Sequence, residues 1–487
     1  MSNYRSRRDA WNKIPRIDGA YEQLSEIALA NVKELYGKTP PDLVTERLDT
    51  ELSVIKENDH ASIFIWAYRL ARDIEAHGYI AFSRGSVGSS FVAFLMGLTR
   101  VNPLKPHYIC TECHHMEFVR DGDVHSGFDL PEKVCPVCGH ALNRDGHNIS
   151  FEAFLGTDGE ELPSFHFCIF AEYEARAKEL LNPILNEINL CFLALPHYYV
   201  LSVTDYLEKY TGVSIKNAPL DDPKVYSLFT SPDALGVSSE NICFRTGSCS
   251  LPDFSSRFMG NLLTITKPKN FFELMKALGL KSSVDGWFDN AEELLTNGTC
   301  SLCDVVAFRE DIMTYLIGKG IGTETAYEIM EIVRHGKAPS KLTEEHLQVM
   351  RDHGVPEWYI DSIMKIRYLF PKAFAAGIVM TAVQLGWYKL YYPAEYYAAY
   401  FTAYSTAYDV SVTDDLVKGY EHVKSRFDFM IQNDDPYEND DNTRLLHLAC
   451  EALARGIAFL PPDEEKSHEH RYVPESGAVR LPLSSNT

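Results

Sequence analysis

Apolar residues recur at helical spacing through much of the chain. In TERLDTELSVI (Thr45 to Ile55), Leu48, Leu52 and Ile55 share one face, which predicts an amphipathic helix with Thr45 as its N-cap. The stretch from Ile63 to Ala76 continues that period. SRGSVGSS (Ser83 to Ser90) then breaks it and opens a second apolar run, FVAFLMGL. Residues 107–140 lose periodicity and read as loop. From 151 to 200, short aromatic and β-branched runs predict strands around a helix at Tyr173–Ile188. From Thr204 to about Ser405 the pattern is again mostly helical. TETAYEIMEIVRHG places Ile329, Met330 and Val333 together, with Thr323 as cap and Gly336 as stop. The most apolar run, Ala373 to Tyr388, is too short to span a bilayer and contains Gln384, which predicts a buried helix. The tail from Pro461 is rich in proline, charge and serine and predicts fraying.

Composition sharpens this picture. A chain of 487 residues, 45% hydrophobic and 23% charged, has room for two to four globular domains. Its net charge of −22 restricts any nucleic-acid binding to a local basic groove. Acidic residues outnumber basic ones two to one from Phe401 onward, and the run from Asn433 to Asp441 reads as a solvated loop. The start, MSNYRSRRDAWNKIPR, shows no apolar signal core, and the 11 cysteines are an odd number. Both predict a reducing, cytoplasmic location without membrane contact.

Two motifs carry chemistry. Cys110 and Cys113, then Cys135 and Cys138, form two CxxC pairs 21 residues apart. Two such knuckles close a tetrahedral four-sulfur Zn2+ site with no open position, so the metal is structural. His114, His115 and His140 are bystanders to a saturated ion, and Cys300 and Cys303 have no second pair. The second motif is SRGSVGSS. Its Gly85 and Gly88 can bare backbone N–H groups, Ser83, Ser86, Ser89 and Ser90 add hydroxyls, and Arg84 adds a charged fork. A helix starting near Ser89 would aim its positive end at the same place. The composition suits phosphate; it also suits an ordinary glycine turn capping a helix.

At these residues the chain resembles the PolC-type replicative DNA polymerase, the DNA polymerase III alpha chain of low-GC Gram-positive bacteria. The likeness is carried by SRGSVGSSF, NPLKPHYICTEC, SGFDLPEKVCPVCG and DGHNISFEAFLG. It continues through DDPKVYSLF, NAEELLTNGTCSL, REDIMTYLIGKG, VPEWYIDS and FPKAFAAGIVMTAV, over roughly Ile17 to Leu460 with one large gap. The resemblance implies an α+β fold: a reduced palm, an inserted zinc ribbon and a mainly helical fingers region. The implied boundaries are 1–106 for the helical palm part with the SRGS loop, 107–140 for the ribbon and 141–203 for residual palm strands. The fingers would take 204–405, and an acidic, partly disordered segment 406–487. The family's SRGS loop meets the triphosphate, which makes Ser83, Arg84, Gly85, Ser86, Gly88, Ser89 and Ser90 the implied nucleotide-binding set.

The family's catalysis uses two Mg2+ ions held by carboxylates. Two of these lie in a Pro-Asp-x-Asp motif, which here reads Pro163-Ser164-Phe165-His166, so serine and histidine replace the acids. The third falls in a strand whose best match, Leu193 to Leu195, has none. The gap falls between Tyr173 and Leu193, where the family carries a long palm insert. The family's Ser-His-Gly-Thr-Asp turn is altered to Lys281–Asp285, and its Pro-Lys-Ala-His ends in Phe374. The resemblance places nuclease regions before this segment and helix-hairpin-helix and clamp-binding parts after it in the family, and the expectation is a chain without them. The expectation is a catalytically silent relative with no catalytic residues, a structural Zn2+ and no bound Mg2+. Glu152, Glu160, Glu161, Glu172 and Glu174 read as solvated acids rather than a rebuilt site. Arg257, Lys365, Arg367 and Lys372 are the implied contacts to primer-template DNA or dNTP, with Lys267, Lys269 and Lys319 nearby; solvated surface lysines are the equal alternative. The tyrosines around Trp387 read as helix-packing core. The second function class is a non-enzymatic scaffold that binds replication proteins through the ribbon and helical face.

Overall fold

Three helices lead the chain, and each buries the stripe its sequence carries. In the computed structural model, which describes residues 14–81, 83–120, 122, 124–156, 159–182, 193–194, 199–404, 410–433 and 441–483, α1 (Ala20–Tyr36) buries Leu24, Ala28, Val32 and Tyr36 at four-residue steps. α2 (Asp42–Glu57) buries Leu48, Leu52 and Ile55 as expected, and Glu51 among them. α3 (Ala61–Ala76) buries most of its length. Thr45 does not cap α2. The helix starts behind Pro41, and the Thr45 hydroxyl donates to the Asp42 carbonyl at 3.0 Å.

The strands that follow are short. In chain order come β1 (Ser83–Arg84), α4 (Phe91–Leu95), β2 (His107–Ile109), β3 (Met116–Phe118), β4 (Asn143–Asp145), β5 (Phe165–Phe167), α5 (Glu174–Leu180) and β6 (Leu193–Ala194). They form two three-stranded sheets, β1-β5-β6 and β3-β2-β4. The first is mixed, with β1 antiparallel and β6 parallel to β5; the second is antiparallel throughout. The cysteine-bearing sheet therefore reaches Asp145, past the expected limit of 140. The helix expected at Tyr173–Ile188 is present as α5, and residues 183–188 lie outside the described ones.

The remainder is mainly helical: α6 (Tyr199–Thr211), α7 (Arg257–Thr266), α8 (Phe271–Ser282), α9 (Arg309–Gly318), α10 (Thr323–Arg334), α11 (Glu344–Asp352), α12 (Glu357–Lys365), α13 (Lys372–Tyr391), α14 (Pro393–Tyr404), α15 (Tyr420–Asn433) and α16 (Asp441–Ala454). Thr323 opens α10 without capping it, since Gly322 holds the cap position; Gly336 ends the turn after it at φ +69. α13 is buried almost all round, and Gln384 donates its amide to the Ile215 and Ala218 carbonyls at 2.8 and 3.4 Å. That satisfies the one polar group expected to argue against a membrane span. No helix among the described residues is long and apolar enough to cross a membrane.

The chain forms two compact units, Met1–His197 with Phe271–Gly377, and Tyr198–Asn270 with Ile378–Thr487. The expected single helical block 204–405 is thus divided between them. In the first unit, α9, α10 and α12 share a core that includes Ile312, Leu316, Ile329, Val333, Tyr359 and Ile363. The second unit buries Tyr388, Tyr396 and Tyr397, as the aromatic pattern predicts, and encloses an ion pair. Lys389 and Glu451 are both fully buried at 2.7 Å. Lys389 also donates to the Gly247 and Cys249 carbonyls at 2.9 and 2.5 Å, and Tyr397 donates to Glu451 at 2.7 Å. Such saturation is what lets a desolvated pair persist in a core.

The tail after Pro461 corrects the expectation of disorder. β7 (Phe459–Leu460), β8 (Val473–Glu475) and β9 (Ala478–Arg480) form a sheet in the order β7-β9-β8, with Tyr472, Val479 and Leu481 buried. A polar composition hid these few apolar anchors. In the acidic run, residues 434–440 lie outside the described ones.

Candidate functional site

The sheet β1-β5-β6 gathers the positions on which the sequence argument turns. Arg84 pairs directly with His166 across β1 and β5, and His166 pairs with Ala194 across β5 and β6. Paired residues share a face, so Arg84 and His166 stand together, and Ser164 lies just before β5. Ser83 and Phe167 turn inward and are buried. His166 is exposed; Arg84 and Ser164 are half-buried. Among the described residues, the paired positions on this face carry the Arg84 guanidinium and the His166 imidazole, and neither is a carboxylate. Partial burial and the neighbouring Arg84 guanidinium hold the His166 pKa below its ordinary value. Arg84 lies over the Phe374 ring at 5.0 Å, and Phe374 stacks on Phe370 at 5.0 Å.

The SRGSVGSS loop divides into an inward half and an outward half. The Ser83 hydroxyl accepts from the His166 backbone N–H at 2.7 Å. Ser89 and Ser90 are fully buried. Ser90 caps α4, accepting from the Ala93 N–H at 3.1 Å, and donates to Glu51 at 2.8 Å. Glu51 also accepts from the Phe91 and Val92 N–H groups at 2.9 and 3.0 Å. The positive end of α4 is therefore occupied by an internal carboxylate, which accounts for donors that the sequence had assigned to a phosphate. Arg47 completes the brace: its guanidinium meets Glu51 at 2.5 Å and donates to the Ser89 and Ile149 carbonyls at 2.6 and 3.1 Å. Gly88 packs against Val101 and Ala373, where an added Cβ would come within 3.1 and 3.2 Å. What remains outward is Arg84, Gly85 and Ser86. Gly85 adopts φ +103, which disfavours any side chain, and its Cβ direction is open for 4 Å.

The four cysteines converge. The Sγ atoms of Cys110, Cys113, Cys135 and Cys138 all lie within 4.8 Å of one another, with Cys110–Cys138 at 3.3 Å and Cys113–Cys135 at 3.5 Å. A tetrahedron with metal–sulfur bonds of about 2.3 Å has edges of about 3.8 Å, so the set fits a zinc-sized ion. The two knuckles are built alike. Cys110 N–H donates to His115 O, and His114 N–H to Cys110 O; Cys135 N–H donates to His140 O, and Gly139 N–H to Cys135 O. His114 and Gly139, at equivalent places, both take positive φ. His114 and His115 turn instead to the Leu35 carbonyl and Glu117. Among the described residues these cysteines are the one group of three or more His, Cys, Asp or Glu side chains that could hold an ion. Glu172 is exposed and Glu174 pairs with Lys178 at 2.5 Å. Cys300 and Cys303 are half-buried thiols.

The basic residues do not form one set. Arg257 is exposed in the second unit, while Lys365, Arg367 and Lys372 belong to the first. Lys365 donates to the Asp289 carbonyl at 2.6 Å and Arg367 pairs with Asp285 at 2.7 Å, both at the surface. Lys372 lies inside rather than at the surface. It is 7% exposed, lies 5.4 Å from the Phe272 ring centre and donates to the Asn148 carbonyl at 3.3 Å; burial lowers its pKa to about 8. Sequence reasoning missed Arg47 and Glu51. Their signal was present: an acid inside the apolar stripe of α2, with an arginine one turn before it.

Two family models match the chain: the bacterial DNA polymerase III alpha NTPase domain over residues 22–180 and the bacterial DNA polymerase III alpha subunit finger domain over residues 200–354. Curated proteins named DNA polymerase III PolC-type are similar over most of it. That of Clostridium perfringens is 34% identical over 568 positions, that of Halalkalibacterium halodurans 33% over 570, and that of Bacillus subtilis 32% over 568. Each alignment takes in 97% of this chain and 39% of the relative, so the chain spans well under half the relatives' length. The aligned regions are longer than the 487 residues present, so the relatives carry positions with no counterpart in this chain.

Proposed function

The chain belongs to the bacterial DNA polymerase III alpha-subunit family as a PolC-type relative, and from that premise we propose that it is a catalytically silent member that keeps contact with nucleotide or DNA. Sheet β1-β5-β6 with the SRGS loop would be the remnant of the palm, the cysteine-bearing sheet a structural zinc ribbon, and the helices beyond it the fingers. One observation carries the reading. Beside Arg84, His166 takes the place of one carboxylate that the family's two-metal nucleotidyl transfer needs, and Ser164, just before β5, takes the place of another. Mg2+ is a hard ion that wants anionic oxygen, and neither a hydroxyl nor an imidazole bridges two such ions. Without them the primer hydroxyl is not activated and the leaving diphosphate is not neutralised. Zn2+ on Cys110, Cys113, Cys135 and Cys138 would fix two loops and leave no position for substrate.

Primer extension with Mg2+ or Mn2+ tests the silence, and any lengthened primer refutes it. Titration of labelled primer-template at low salt, in the same preparation, tests the retained contact. Absence of binding there favours the scaffold that meets replication proteins.

A further inference from the structure

We propose that the outward face of β1-β5-β6 is an anion site that works without a divalent cation, with Arg84 and His166 taking the oxygens of a polyphosphate directly. The inference deepens the proposed function and rests on that reading of the chain. A carboxylate face repels a polyphosphate, and a metal must mediate between them. Here both replaced positions, His166 on β5 and Ser164 just before it, can donate. His166 has a ring N–H in either charge state, and Ser164 has its hydroxyl. The β-pairing brings the Arg84 and His166 Cβ atoms to about 4.5–5.5 Å on one face, a spacing that suits two donors on one phosphate. Arg84 is steadied over the Phe374 ring at 5.0 Å. That ring stands where the resemblance places a histidine. Next in the chain, Gly85 leaves 4 Å of open space and Ser86 is half-exposed. Ser83 and Ser90 are engaged internally by the His166 backbone and Glu51, and Ser89 is buried, so they hold the site rather than line it. On a chain of net charge −22, the pairing of Arg84 with His166 is a local concentration of donors that a polyanion can use.

The test is calorimetric titration of the full chain with inorganic tripolyphosphate and, separately, deoxyadenosine triphosphate, in EDTA and in Mg2+. Binding in EDTA that Mg2+ does not strengthen is expected. Arg84→Ala should weaken it at least about tenfold, the loss of a charge-assisted contact. His166→Asp, at an exposed strand position, should abolish it in EDTA with the circular dichroism spectrum unchanged. Equal affinity for both ligands assigns the site to the phosphates alone; tighter binding of the nucleotide adds a base contact and leaves the metal independence intact. Binding that requires Mg2+, no binding in EDTA, or indifference to both substitutions would overturn the inference. None of these outcomes touches the silence of the chain, which the extension gel decides.

Discussion

Replacing Glu51 by alanine should cost about 3–5 kcal/mol and release the SRGSVGSS loop. The carboxylate is fully buried and meets four donors: the Arg47 guanidinium, the Ser90 hydroxyl and the N–H groups of Phe91 and Val92. Four hydrogen bonds to a charged acceptor, at about 1.5–3 kcal/mol each, would sum to more than this. Water entering the vacated space recovers part of it, and Arg47 can swing its guanidinium outward, since its side chain is 20% exposed. The lower range is therefore the appropriate one. Because the chain has two units, a single melting temperature mixes their contributions. Amide hydrogen exchange resolved at Phe91 and Val92 reads the effect directly. Both amides should lose protection in Glu51→Ala, and a cycle with Arg47→Met should return a coupling of about 1–3 kcal/mol. Tripolyphosphate affinity should fall in the same variant, because the loop that presents Arg84 is no longer braced. Unchanged protection at both amides, or a coupling near zero, would show that Glu51 does not hold the loop.

The purified chain should carry one equivalent of zinc by elemental analysis. Cys113→Ser, or extraction with a strong chelator, should open residues 107–145 to proteolysis while α13 stays protected. Asp129, which accepts from the Phe271 and Phe272 N–H groups at 2.7 and 2.9 Å, has its pKa raised to about 6, chiefly by burial. An acid with a raised folded pKa binds its proton more tightly when folded, so this contribution is full near pH 4 and is lost as pH rises towards 6. Relative to Asp129→Asn, wild type should lose at most about 3 kcal/mol across that window. Urea midpoints of both proteins at pH 4 to 7 check this, and parallel curves would refute it.

Much of the local structure was legible in the chain itself, because its causes are local. Cys110, Cys113, Cys135 and Cys138 have the spacing of a four-sulfur site that could hold an ion, and the shared knuckle bonds follow from that spacing. The stripes of α2 and α10, and the burial of α13, follow from period and composition. The resemblance carried by the same string singled out Ser164 and His166 as departures from the family's pattern.

What a side chain faces was settled only by tertiary packing. SRGSVGSS reads as a cradle of donors, but Glu51 arrives from a helix some forty residues earlier and takes those at the start of α4. Lys372 reads as a groove lysine, but Phe272 and the Asn148 carbonyl enclose it. The helical block 204–405 reads as one domain, yet its parts fold into different units. The tail reads as frayed, yet Tyr472, Val479 and Leu481 find a core. Periodicity states which face of an element is apolar; it carries no record of the distant segment that covers it. Pairing of β1 with β5 across about eighty residues is what stands Arg84 beside His166. Local sequence therefore settles which donors this chain owns, and long-range contact settles which of them remain available to a ligand.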